Sequence, residues 1–215
     1  MQLPFTHDEF LDLFGEYNRA LWPVVALLWL ATLAALVRLH RGRPHASRVL
    51  AALLAFHWAW AGAVYHLAFF RRINPAALLF GLAFLLESAL LFWRGVIRSS
   101  AVFVPSSSIW SRFGSALVLY ALVYPALGML FGLHYPRLPT FGVPCPTAIL
   151  TAGLLLLVPK REARLLGGIP VLWAGVGGSA AFVLRVRADL VLPLGGVLLL
   201  VYMCTPTPAI SRSAA

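Results

Sequence analysis

Two ionisable residues, Glu87 and His57, stand in the middle of apolar runs, where proton exchange is the chemistry they could perform. Glu87 lies seven residues before Arg94, and His57 lies nine residues after Arg48. At 1.5 Å per helical residue, these spacings place the two side chains about 10 and 13 Å in from the same face. Only the short turn 71–74 joins their runs, so the two helices are expected to be antiparallel neighbours. Because an ionisable side chain is expensive to bury in hydrocarbon, the pair is a candidate site for carrying or gating a proton.

Tyr120 falls in the same layer by the same count of residues. The sequence therefore predicts a polar layer of His57, Glu87 and Tyr120 through which a proton, an ion or a small solute moves. One alternative stays open, in which the Glu–His pair only locks two helices together.

A second group of polar residues is predicted at the opposite face. His66 stands near the other end of the run that carries His57, and the loop HYPRLPTFGVPCPT contributes His134, Tyr135 and Cys145. Its prolines make this loop stiff, so we expect it to be ordered and to bring Cys145 towards His66. Imidazole and thiolate could bind a soft or borderline metal ion. Because strong metal motifs show close, paired ligands, an ordered loop with incidental polar side chains remains the alternative.

Three familiar membrane chemistries do not fit the residues. A retinal Schiff base needs a lysine in the bundle interior, and the only lysine, Lys160, lies at the edge of an apolar run. His57 and His66 are nine residues apart, on opposite sides of one helix, so they cannot share a haem iron. Ser179 lies in Gly-Gly-Ser-Ala-Ala, which lacks the second glycine of a nucleophile elbow and is typical of a close helix contact. No catalytic constellation is found, so we expect neither an enzyme nor a cofactor.

The composition is that of an integral membrane protein. Of the 215 residues, 61% are hydrophobic and 11% are charged, whereas about 25% are charged in soluble domains. Seventeen Lys and Arg stand against seven Asp and Glu, but these bases lie in short gaps between apolar runs, where they orient membrane spans. No basic run is long enough to follow a nucleic-acid backbone, so the expected partner is the lipid bilayer.

The predicted fold is an all-α transmembrane bundle of seven spans over residues 19–205, or six if the fifth run does not cross. The runs are Ala20–Leu39, Val49–Phe70, Pro75–Trp93, Phe113–Leu133, Thr147–Val158, Gly168–Leu184 and Asp189–Cys204. The fifth rises only about 18 Å against a hydrocarbon core of about 30 Å. With seven spans and the N-terminus outside, eleven bases lie inside and six outside, so the positive-inside rule predicts a cytoplasmic C-terminus.

Residues 1–18 are predicted to form a separate amphipathic helix at the outer face. Thr6 and Glu9 have the spacing of a capping box, and Phe5 and Phe10 that of a hydrophobic staple. The helix could lie on the outer leaflet before the chain turns in at Trp22-Pro23, or fold back and cap the bundle. The start holds acids and no basic segment, so no cleavable signal peptide is expected. The tail 206–215 is rich in Pro, Ser, Thr and Ala and is predicted to be disordered.

Five segments resemble a bacterial family of multi-spanning inner-membrane proteins that is catalogued as a domain of unknown function or, loosely, as permeases. They are LPFTHDEFLDLFGEYNRALWP, YHLAFFRRINPAALLFG, YPALG at 124–128, PTFGVPCPT and IPVLWAGVGGSAAF. The resemblance implies the fold and an inner-membrane location but no site. It also implies a histidine directly after a glycine in the outer loop, whereas Leu133 separates Gly132 from His134 here.

The leading functional hypothesis is a small permease or channel-like protein that uses the layer at His57 and Glu87. The alternative is a membrane protein that does not transport and binds a metal ion or a partner at its outer face. A continuous polar path from Glu87 to the outer mouth would distinguish the first from the second.

Overall fold

The structure is a computed structural model that describes residues 4–206, and every regular element in this range is helical. The helices are α1 (His7–His40), α2 (Ala46–Trp60), α3 (Ala77–Leu91), α4 (Ile109–Leu130), α5 (Pro144–Leu155), α6 (Lys160–Leu166), α7 (Gly168–Val183) and α8 (Val191–Cys204). π-Helical turns extend α2 over Ala61–Phe69 and α3 over Phe92–Ile97, and 3-10 turns cover Phe70–Arg72 and Arg187–Leu190. The predicted all-α bundle is confirmed. The predicted tail lies outside the described residues from position 207 onwards.

Glycines set how closely neighbouring helices approach. A Cβ at Gly114 would lie 2.6 Å from the carbonyl oxygen of Gly153, and a Cβ at Gly178 would lie 2.4 Å from Cγ of Pro193. Backbones can come this close only where a side chain is missing, as at the small-residue contacts of membrane helices. The second contact supports the packing interpretation of the sequence around Ser179. We call the end of the bundle where α1 begins the N-terminal end, and the end where α8 stops the C-terminal end.

Five helical segments are long and apolar enough to cross a membrane, and six are if the bent pair α6–α7 counts as one span. The pair bends by 55° at Gly167. Helix α5 is apolar but, with 12 residues, too short to qualify. The structure thus supports five or six candidate spans, where the sequence predicts seven.

Helix α5 lies in the centre of the bundle. Every one of its residues except Cys145 is buried, and α2, α4, α7 and α8 pack around it. The preceding non-helical residues 138–143 are also buried. Irregular backbone is tolerated at membrane depth where protein, rather than lipid, surrounds it. The fifth run is the shortest of the predicted spans, and its helix is the one that the rest of the bundle encloses.

Helix α1 does not divide at residue 18. It runs without a break through Pro23, so no turn separates the predicted amphipathic helix from the first apolar run. The capping box is present, with Thr6 Oγ1 accepting from the Glu9 amide at 3.2 Å and Glu9 Oε2 accepting from the Thr6 amide at 2.7 Å. The apolar face that includes Phe14 and Tyr17 is buried against the bundle. This first part of α1 therefore packs on the N-terminal end of the bundle as a continuous part of the helix.

Candidate functional site

His57 is buried, but its partner is not Glu87. Its Nε2 lies 2.9 Å from Thr32 Oγ1, and the Thr32 hydroxyl donates to the Leu28 carbonyl at 2.8 Å. Because that hydroxyl proton is already used, the His57 Nε2–H donates to Thr32, and Nδ1 carries no proton. Nδ1 has no hydrogen-bond partner, and the ring stands edge-on to Phe141 at 5.1 Å between centroids. His57 therefore joins α2 to α1 and to the loop before α5.

Glu87 is also buried, at 1% exposure, and Oε1 of its carboxyl group has no hydrogen-bond partner. No direct hydrogen bond joins Glu87 to His57. Glu87 lies one turn along α3 from Phe84, whose ring packs against Trp58 and Trp173 at 4.3 and 4.9 Å between centroids. The carboxyl group lies inside the bundle, as predicted, but its neighbours one helical turn away are aromatic rings rather than the predicted polar layer.

Tyr120 belongs to the N-terminal end instead of the predicted layer. Its hydroxyl donates to the Ala188 carbonyl at 2.8 Å, in the turn before α8. One turn further along α4, the Tyr124 hydroxyl donates to the carboxylate of Asp189 in the same turn. The three residues of the predicted layer therefore lie in three different environments.

The loop before α5 is ordered and packed, as predicted, and one residue that the sequence analysis missed holds it. The Asn18 amide donates to the carbonyls of Pro136 at 2.7 Å and Leu138 at 2.8 Å, and its oxygen accepts from Thr140 Oγ1 at 2.5 Å. Gly142 has φ +83°, and a Cβ there would lie 3.1 Å from the Tyr17 hydroxyl. This conformation turns the chain into the start of α5.

The four predicted outer-face residues separate into two pairs. His134 and Tyr135 are exposed, and neither lines the cavity at the N-terminal end of the bundle. His66 is fully buried and Cys145 is partly buried, and both line that cavity. His66 and Cys145 therefore line one cavity, without His134 or Tyr135.

A cavity of about 260 Å³ lies at the N-terminal end of the bundle, and we call it the aromatic cavity. The first turns of α1, the end of the extended α2, the start of α3, the start of α5 and the second half of α7 enclose it. Its aromatic lining comprises Phe5, Phe10, Phe14, Tyr65, Phe70, Phe80 and Trp173, and its polar lining comprises His66, Asn74, Cys145, Ser179 and Asp189. Among the described residues, no lysine or arginine lines it.

His66 and Trp173 carry the buried polar atoms of this cavity that lack a hydrogen-bond partner in the described residues, and both ring nitrogens of His66 are among them. Neither ring nitrogen has a hydrogen-bond partner, and the ring is surrounded by Phe84 at 4.8 Å, Trp173 at 5.2 Å and Phe80 at 5.8 Å between centroids. Buried polar atoms are almost always hydrogen-bonded in folded proteins, since an orphaned one costs free energy. A neutral imidazole offers one N–H donor and one nitrogen acceptor, so His66 can bind a ligand group that both accepts and donates.

The second polar feature of the cavity is the thiol of Cys145 beside the carboxylate of Asp189. Asp189 is buried and is held by the Tyr124 hydroxyl. The sequence places Asp189 at the first position of an apolar run, where it looked like a boundary residue. Its carboxylate, the only one besides Glu87 in the apolar runs, is the signal that could have identified it.

A metal centre is not supported by this arrangement. No group of three or more His, Cys, Asp or Glu among residues 4–206 is placed to hold a metal ion. The metal hypothesis for His66 and Cys145 therefore lacks a complete ligand set.

The sequence profile of a family of unknown function, DUF6064, matches residues 7–212. The chain belongs to this family. No curated protein and no solved structure matches it. The expectation of a family without an assigned function is confirmed.

In this DUF6064 chain, the segments that carry the resemblance also build the cavity. Four of the five contribute lining residues, among them Phe14, His66, Cys145 and Trp173. The DUF6064 match covers every lining residue except Phe5.

Proposed function

We propose that this protein is a multi-pass protein of the bacterial inner membrane that binds a small, largely apolar molecule in the aromatic cavity. The observation that carries the proposal is the buried His66 imidazole, whose two nitrogens lack partners in a cavity rich in aromatic rings. Ligand sites are mostly apolar concavities in which a few polar groups converge and fix the ligand's orientation. At about 260 Å³, this one suits a small molecule or part of a larger one.

The charge distribution supports an N-terminal end that faces outside. Of the described bases, ten lie at the C-terminal end and six at the N-terminal end. The ten are Arg38, Arg41, Arg43, Arg48, Arg94, Arg98, Arg112, Lys160, Arg161 and Arg164. Two at the N-terminal end are paired with acids of α1, Arg72 with Glu16 and Arg137 with Asp8 and Asp12. Basic residues accumulate on the cytoplasmic side of membrane proteins, so the cavity lies towards the outer leaflet.

Seven crossings fit this orientation. The loop before α5 is hydrogen-bonded to Asn18 at the N-terminal end of the bundle. Glu162, which follows α5, forms a salt bridge with Arg94 at the C-terminal end. Helix α5 therefore carries the chain from end to end of the bundle. Because protein encloses it, it needs no lipid-facing length to do so.

A second candidate function is transport, and Glu87 is the observation that favours it. A buried carboxyl group with an unpartnered oxygen is the kind of group that binds and releases a proton in membrane transporters. The rings of Phe84, Trp58 and Trp173 pack together on the cavity side of Glu87, so apolar surface lies between that carboxyl group and the cavity. We therefore favour ligand binding without transport over transport.

Intact protein purified into nanodiscs of one synthetic lipid tests the binding proposal. Native mass spectrometry should show an added mass that is neither lipid nor detergent. Ala180→Phe fills the cavity that Ala180 lines, so the variant should lose that mass. Ala63→Phe, at an exposed position outside the cavity, is the matched control and should keep it. Absence of an added mass from the wild-type protein, or its retention by folded Ala180→Phe, would contradict the proposal.

A further inference from the structure

The aromatic cavity is open on one side, along α7. Three of its lining residues are exposed: Val176 at 43%, Val183 at 62%, and Ser179. Their spacing of three and four residues puts them in one stripe along the helix. We call this stripe the α7 opening.

The end of the bundle is closed over the same cavity. Phe5 and Phe10 line it from the start of α1 and are only 8% and 9% exposed. Leu184 and Val186, after α7, line it at 3% and 1% exposure. A molecule in the cavity is therefore covered on the side that faces water beyond the bundle end.

The surroundings of the α7 opening are apolar. Leu172 and Phe182, on the outward part of α7, are 71% and 70% exposed and do not line the cavity. A helix with such large exposed apolar side chains faces lipid when the bundle lies in a membrane. The opening therefore leads into hydrocarbon, in the half of the bilayer near the N-terminal end.

We propose that the ligand is a membrane-dissolved, uncharged single-chain lipid, of the long-chain alcohol type, that enters sideways through the α7 opening. This inference rests on the proposed binding function and adds the ligand class and its route. The hydroxyl oxygen of such a lipid can accept a hydrogen bond from the His66 N–H, and its own proton can be donated to another acceptor of the cavity. The hydrocarbon chain of the lipid then packs on the aromatic rings.

The charges of the cavity exclude the common anionic lipids. A phosphate or carboxylate headgroup needs a cationic partner when it is buried, and the described lining contains neither lysine nor arginine. Its one carboxylate, Asp189, would also repel an anion. A neutral hydroxyl avoids both costs.

The experiment uses Cys145 as a reporter inside the cavity, on a Cys204→Ser background in nanodiscs. Alkylation of Cys145 by N-ethylmaleimide is timed by mass spectrometry with 1-decanol, decanoate or no addition. We expect 1-decanol to slow the reaction about tenfold and decanoate to leave it unchanged. Equal protection by decanoate would overturn the neutral-lipid class.

The route is tested by closing the α7 opening. Ser179→Trp should remove the effect of 1-decanol, whereas Phe182→Trp, on the same helix but outside the cavity, should preserve it. If 1-decanol still protects in Ser179→Trp, the sideways route is wrong while binding stands. If no probe protects in any variant and Ala180→Phe alkylates like wild type, binding itself fails.

Discussion

Replacing Asn18 by alanine should release the loop before α5 and expose the aromatic cavity. Asn18 is 1% exposed and makes three hydrogen bonds to this loop, two to carbonyls and one from the Thr140 hydroxyl. At about 1 kcal/mol net for each buried bond, the substitution should lower the free energy of unfolding by about 3 kcal/mol. Thr140→Val keeps the shape and removes one bond, so it should cost about 1 kcal/mol.

The same change should alter the chemistry of Cys145, because the loop leads directly into the start of α5. Loss of the Asn18 hydrogen bonds lowers the free energy of local opening of the loop. Each decrease of about 1.4 kcal/mol in that free energy raises the alkylation rate about tenfold. Unfolding in mixed micelles and the alkylation rate of Cys145 can be measured on one preparation.

Asn74→Ala serves as the control for the free energy of unfolding alone, because Asn74 also lines the aromatic cavity. Asn74 accepts a single hydrogen bond, from the Ala76 amide at 3.0 Å in an exposed turn, so its loss should cost less than about 1 kcal/mol. The reasoning is refuted if Asn18→Ala destabilises no more than Asn74→Ala and leaves Cys145 alkylation unchanged. A double-mutant cycle of Asn18→Ala with Thr140→Val should give a coupling of about 1 kcal/mol, because the two residues share one bond.

Gly153→Ala should destabilise the bundle by about 1–3 kcal/mol in the same unfolding assay, since its Cβ would lie 2.7 Å from a carbonyl oxygen of α4. Gly168→Ala is the control and should be tolerated, because nothing lies within 4 Å of its Cβ. Equal effects of the two substitutions would refute the close contact between α4 and α5. Glu87→Gln should fold at wild-type yield because the amide is neutral, and should abolish any proton flux detected with pyranine in proteoliposomes. Failure of this variant to fold, or unchanged flux, would remove the support for transport. Single cysteines at Ile73 and Arg161, on a background without the two native cysteines, should be labelled from outside only at position 73. Outside labelling at 161 would exclude seven crossings.

Local chemistry and helix depth could be predicted from the sequence, but the direction of side chains around each helix could not. The capping box at Thr6 depends on residues three apart, so it was visible in the sequence and is present. His57 and Glu87 were placed by counting along two helices, which fixes depth alone. His57 turns towards Thr32 on α1, a neighbour that no count along α2 and α3 reveals.

The cavity was predictable only in part for the same reason. Cys145 and His66 share it because the fifth run is short and its start must be drawn into the bundle. Asn18 and Asp189 were missed because single polar residues at the edges of apolar runs usually face water or headgroups. Only contacts between segments distant in sequence, such as Asn18 with Leu138, give these two residues their roles.

The enclosure of α5 has a consequence for how the protein is made. In the proposed membrane, a 12-residue helix is too short to be released into lipid when it leaves the ribosome, and α7 and α8, which later cover it, have not yet been synthesised. Its close contact with α4 at Gly114 and Gly153 gives it a partner at that moment. We therefore expect helices α4 and α5 to enter the proposed membrane together as a hairpin, with α5 packed on α4 until the last two helices arrive.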